Sequence, residues 1–154
     1  MARDLPPRKE PYSIEDVVAA VGSMHPAIEI PDSRYEDFVS VGAAQLIADN
    51  ACAGYFVLGP AVVADWSRHD LPRHVVTVHV NGKSVCTGMG KNVLGDPRIA
   101  LAWIANELSL AGDTLRKGET VTTGTCIVPA AIADGDHIVA DFGVFGRVEA
   151  RLAG

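Results

Sequence analysis

The segment from His74 to Gly88 (HVVTVHV-NG-KSVCTG) restricts the fold more than any other. Two β-prone runs flank Asn81-Gly82, the dipeptide favoured at type I′ turns because both central residues take positive φ. The chain therefore carries a β-hairpin, and with it antiparallel pairing. A helix is equally well marked downstream. Asp96 offers a capping carboxylate before Pro97 at the first helical position, and Ile99, Leu101, Trp103, Ile104 and Leu108 supply an apolar face up to Gly112.

The remaining elements follow from punctuation and period. Pro6, Pro7 and Pro11 make residues 1–12 an extended arm, ahead of a single domain over 13–154. Ser13 with Asp16 resembles a capping box and opens a short helix over about 14–22. Residues 26–31 read as a strand, 40–49 as a helix and 54–58 as a buried strand flanked by glycines. Further strands are expected around 119–126, 137–142 and 144–151. Strands outnumber helices and are joined by hairpins and glycine turns, which points to a mostly antiparallel, β-rich α+β fold.

Composition narrows the function classes. With 154 residues, 48% of them hydrophobic, the chain can bury one modest core. A net charge of −6 and the absence of a Lys/Arg cluster longer than Arg8-Lys9 exclude the electrostatic footprint of a nucleic-acid or anionic-membrane binder. No apolar run approaches the length of a membrane span, and the N-terminus lacks the apolar stretch of a secretory signal. Cys52, Cys86 and Cys126 are odd in number and lack CxxC spacing, so free thiols and a cytoplasmic location are expected. Small molecules or protein are the expected partners.

Most apparent motifs dissolve on inspection. His69, His74 and His79 invite a metal reading, but alternation along the strand puts His74 and His79 on opposite faces, so the three do not share an ion. The run Gly88–Gly95 lacks the spacing of a dinucleotide fingerprint, and Gly82-Lys83-Ser84 lacks the first glycine of a phosphate loop, since position 77 is Thr77. No cysteine has a local partner signature for nucleophilic chemistry. Glu29 is different. In HPAIEIPDSRY (25–35) it sits between Ile28 and Ile30 but faces the opposite side, beside Ala27. A carboxylate buried there needs a metal, a cationic side chain or a proton, and the pattern leaves a ligand role and an ion pair with Arg34 equally open.

Five phrases in order resemble one known group: Arg3–Pro7, HPAIEIPDSRY (25–35), ADNACAGYFVLG (48–59), VNGKSVCTGMGKNVLGDPRIALAWIANEL (80–108) and GETVTTGTCIVPAAIADGDHIVADFGVFGRV (118–148). They are similar to the C-terminal two thirds of the 2-keto-4-pentenoate hydratase and 2-oxohept-3-ene-1,7-dioate hydratase group, which includes the 4-oxalocrotonate decarboxylases, within the fumarylacetoacetate hydrolase superfamily. The resemblance implies a mixed β-roll of the C-terminal type, here truncated at its N-terminus. It also implies Mg²⁺ or Mn²⁺ on three carboxylates, one matching Glu29 and two from a Glu-x-Glu pair preceding the Arg-Asp-Leu-Pro segment. A small 2-oxo acid would chelate that ion, which stabilises an enolate on the way to hydration or decarboxylation. Asp49, Asn50, Thr123 and Gly124 match positions expected at the substrate, and Asp32, Ser33 and Arg34 are expected to orient Glu29.

The sequence begins at Met1-Ala2-Arg3, and the resembling group's Glu-x-Glu pair has no counterpart in it. Three expectations follow. The chain is a hydratase or decarboxylase completed by another copy or a complementing chain; or it is an accessory subunit that keeps the fold; or Lys91, His25 or Cys52 has taken a new role. A homo-oligomer or a complementing chain is expected in addition because an incomplete β fold leaves apolar edges to cover.

Overall fold

The computed structural model describes residues 1–153. Asn81 (φ 51°) and Gly82 (φ 79°) form the expected turn, joining β3 (Val75–Val80) to β4 (Lys83–Met89). The ladder shifts register between Val78 and His79, leaving Val85 as the extra residue of a bulge. β5 (His137–Asp141) pairs with the other edge of β3, and β6 (Arg147–Arg151) pairs with β5, giving an antiparallel sheet in the order β4-β3-β5-β6. β1 (Ala27–Pro31) and β2 (Ala53–Leu58) form a separate antiparallel pair. The two sheets share a core of Ile28, Val78, Ile138, Ala140 and Val148, with Ile30 and Val57 packed against it. Neither sheet closes into a barrel, and the architecture is antiparallel α+β.

A second core forms around the helices. α1 (Ile14–Val18) starts at a complete capping box between Ser13 and Asp16. It stops short of the expected residue 22, because Ala20 and Val21 donate to Val17 and Val18 in tightened i→i+3 bonds (3.0 and 3.1 Å). α2 (Ala43–Ala48) lies inside the expected span. In α3 (Pro97–Leu110), Asp96 accepts from the Arg98 backbone at 2.9 Å. A Schellman pair ends it, with Gly112 donating to Ser109 (3.1 Å) and Asp113 to Leu108 (2.8 Å).

The core face of α3 is Leu101, Ala102 and Ala105, with Ile104 and Leu108 beside it; Ile99 and Trp103 are exposed, contrary to the expected face. Apolar character alone did not separate the two sides, because this helix is apolar around much of its circumference.

Residues 1–12 lie along this second core. Leu5 pairs with Leu115 through two backbone bonds (2.8 and 3.2 Å), and Leu5 and Tyr12 are buried with Val17 and Ala105. Asn106 clamps Tyr12 from both sides, accepting from its N–H at 2.7 Å and donating to its carbonyl at 3.1 Å.

Residues 119–126 form no strand, contrary to expectation. Among the described residues they have no ladder partner, and they are held instead by single bonds, such as Asn92 Nδ2 donating to the Cys126 carbonyl at 2.7 Å. β2 is a strand as expected but not a buried one: Tyr55, Phe56 and Leu58 are all exposed. No helix among the described residues is long and apolar enough to cross a membrane.

Candidate active site

Glu29 stands in the middle of β1, opposite Phe56 in the ladder. Period-two alternation turns Ile28 into the core and Glu29 out of it. The side chain is exposed, which corrects the expectation of a buried carboxylate: the far face of the β1–β2 pair is open enough to leave Phe56 and Leu58 exposed as well. No ion pair among them involves Glu29, so Arg34 is not its partner. The carboxylate stands beside two exposed apolar side chains, Phe56 directly across and Leu58 across from Ala27.

Arg34 belongs to a different contact. Asp49, 5% exposed, is the one buried charged residue among those described. Ser33 Oγ donates to its Oδ2 at 2.8 Å, and the Arg34 backbone N–H donates to Oδ1 at 3.2 Å. The Arg34 guanidinium reaches Asp49 Oδ1 at 3.4 Å and donates to the carbonyls of Asp49 (3.0 Å) and Ala53 (2.9 Å). Burial opposes ionisation of Asp49, but the hydrogen bonds from Ser33 and Arg34 and the guanidinium charge outweigh it and hold the carboxyl below its ordinary value. The result ties the turn after β1 to the entry of β2.

The same junction contains unusual backbone. Asn50, Ala51 and Cys52 all take left-handed φ (51°, 55° and 60°), a conformation that costs energy in non-glycine residues. Asp32 donates from its N–H to the Cys52 carbonyl at 2.8 Å. Gly54 lets the strands meet, since a Cβ there would lie 2.5 Å from the Ile30 carbonyl oxygen and 3.0 Å from Asp32 Cβ. Sequence reasoning missed Gly54 and Phe56, because only the strand register shows what each one faces.

The other candidates fall elsewhere. Thr123 is half-buried and Gly124 (φ 115°) lies against Val93; among the described residues no hydrogen bond links them to Glu29. His25 is engaged at both nitrogens, with Gly59 O at 2.9 Å and Ser23 Oγ at 2.8 Å. Lys91 is exposed, and Cys52 is a free, half-buried thiol.

The arrangement meets one requirement of a hard divalent cation, an accessible carboxylate on a rigid strand, and fails another. Among the described residues no group of three or more His, Cys, Asp or Glu side chains could hold a metal. Glu29 alone does not constitute a Mg²⁺ site.

Residues 8–153 match the family model for the fumarylacetoacetate (FAA) hydrolase C-terminal region. The chain belongs to this family. It is 36% identical to a 4-oxalocrotonate decarboxylase of Pseudomonas putida over 90% of its own length and 52% of that relative. It is 32% identical to 2-keto-4-pentenoate hydratase 1 of Dechloromonas aromatica over 99% of its length and 57% of the relative. The structure superposes on the 4-oxalocrotonate decarboxylase of Pseudomonas putida G7 complexed with magnesium and adipate, with a TM-score of 0.85 and 32% identity over 98% of this chain and 57% of that one. This member of the FAA hydrolase family thus spans about half the length of the relatives it matches.

Proposed function

We propose that this chain provides one wall of a metal-dependent lyase site for small 2-oxo acids, with hydration of a 2-keto-4-pentenoate-type substrate as the reaction. The exposed Glu29 carboxylate carries the reading. It is an oxygen donor on a strand anchored by Ile28, opposite the apolar ring of Phe56, and the turn after it is braced by Asp49. In this reading Glu29 is one ligand of Mg²⁺ or Mn²⁺, and the remaining oxygen donors are supplied in trans. A second copy or a complementing chain would bring them. Asp32, Ser33 and Arg34 position the strand end together with Asp49, while Asn50, Thr123 and Gly124 supply polar groups toward the substrate.

Decarboxylation is the second reading, favoured by the likeness to a 4-oxalocrotonate decarboxylase both in sequence and in structure. Both chemistries need an acidic substrate held by its oxygens, so the protein's own contribution is the same.

The test has two parts. Mn²⁺ titrated into wild type and Glu29→Gln, each with the complementing segment of a homologue present, and followed by the paramagnetic broadening of nearby resonances, should broaden β1 and β2 only in wild type. Hydration of 2-hydroxypenta-2,4-dienoate and CO₂ release from 4-oxalocrotonate are then measured with and without the segment of a homologue that this chain does not cover. Identical broadening in both proteins would remove Glu29 from the site.

A further inference from the structure

The histidines that alternation separates are not the pair the fold unites. His79 lies within β3, whereas His69 and His74 meet before that strand begins, His69 Nε2 lying 3.1 Å from His74 Nδ1. His74 Nε2 lies 2.7 Å from the Phe142 carbonyl oxygen, which can only accept, so Nε2 carries the proton and Nδ1 presents a lone pair to His69. Phe145 packs against both rings, with centroids 4.8 Å from His69 and 4.3 Å from His74. Both imidazoles line an open cleft of ≈ 420 Å³ with Asp70, Arg73, Val75 and Val144.

We propose that His69 Nε2 and His74 Nδ1 form a two-imidazole site for a borderline divalent transition ion, with Zn²⁺ as its representative. Two nitrogens bound at about 2.0–2.1 Å to one ion are separated by about 2.9 Å at a right angle and about 3.4 Å at the tetrahedral angle. The observed 3.1 Å lies between these limits. The outer contact is also in place, because a metal-bound imidazole characteristically donates its second N–H to a carbonyl or carboxylate, as His74 does to Phe142. The rings must turn so that both lone pairs converge to one side of the N–N line, and His69 must change tautomer. Its proton moves from Nε2 to Nδ1, so the neutral pair binds the ion with no net proton loss. Arg73 at the cleft is paired with Asp70 (3.7 Å), which offsets its charge.

Among the described residues no third His, Cys, Asp or Glu side chain joins them, so water completes the coordination. Imidazole nitrogen suits Zn²⁺, Ni²⁺ and Cu²⁺ and not Mg²⁺, which separates this site from the oxygen donor at Glu29. A bound ion would clasp the loop that carries His69 to the start of β3.

Untagged protein titrated with Zn²⁺ and, separately, Mg²⁺ provides the test, read by long-range ¹H–¹⁵N spectra of the imidazoles. Zn²⁺ should convert His69 to the Nδ1–H form and leave His74 as Nε2–H, with one ion per chain; Mg²⁺ should leave both rings unchanged. His69→Gln and His74→Gln should each weaken Zn²⁺ binding at least about tenfold, since losing even an outer hydrogen-bond partner costs that much at metal sites. His69→Gln keeps the His74–Phe142 bond and so guards against a folding defect in the other variant. Zn²⁺ binding equal to wild type in either folded variant, or unchanged imidazole tautomers at saturation, would overturn the proposal.

Discussion

Ser33 and Asp49, sixteen positions apart, are joined by a 2.8 Å hydrogen bond that fixes the turn leaving β1 to the segment entering β2. Asp49 accepts from Arg34 as well, so its ionised form is the one the fold selects. A carboxyl whose value is lower in the folded state adds stability above its unfolded value, near 3.8, and that stability is lost as pH falls through the depressed folded value. Asp49→Asn should lower the unfolding midpoint at pH 7, because an amide presents one oxygen where two are used. Between pH 7 and pH 3 its midpoint should also fall less steeply than that of wild type. Urea unfolding across this range reads both effects, and parallel curves would place the coupling elsewhere.

Gly54→Ala tests the close approach beneath the same turn. The added Cβ meets the Ile30 carbonyl oxygen at 2.5 Å, a contact that only backbone movement relieves. Overpacking of this kind costs about 1–3 kcal/mol. Calorimetry should show a Tm several degrees lower, and amide shifts should move at Ile30, Asp32 and Cys52.

These two contacts show what the amino-acid pattern could and could not convey. Asn81-Gly82, the Ser13/Asp16 capping box and the Asp96-Pro97 start were legible because each is a local rule with a local cause. The face of Glu29 was legible too, from alternation alone. Its exposure was not, because burial depends on which elements cover a face. Residues 119–126 show the same limit in reverse, being β-prone in composition yet unpaired, since a strand requires a partner as well as a propensity. Asp49 matched a substrate position by resemblance, while the structure commits its carboxylate to Ser33 and Arg34. His69 and His74 met through a loop whose path no period describes.

Leu5→Ala tests whether residues 1–12 contribute to the core. Leu5 is 4% exposed and packs with Tyr12, Val17 and Leu115. Truncating a buried leucine costs about 2–5 kcal/mol, which in a domain of this size lowers Tm by roughly 5–15 °C. A loosely attached arm would instead leave the thermal transition where it is.

Ile28 and Glu29 are neighbours on β1 whose substitutions should differ sharply. Ile28 is 9% exposed within the shared core of the two sheets, so Ile28→Ala should cost about 2–5 kcal/mol. Glu29 lies on the open face with no ion-pair partner among the described residues, and a surface change of that kind stays within about 0.5 kcal/mol. Glu29→Gln should therefore unfold in urea at the wild-type midpoint and still lose the Mn²⁺ broadening of β1. That combination separates a ligand from a structural carboxylate, because a residue that held the strand in place could not be neutralised without moving the midpoint. A large destabilisation by Glu29→Gln would mean that the carboxylate braces the fold, and the metal reading would lose its main support.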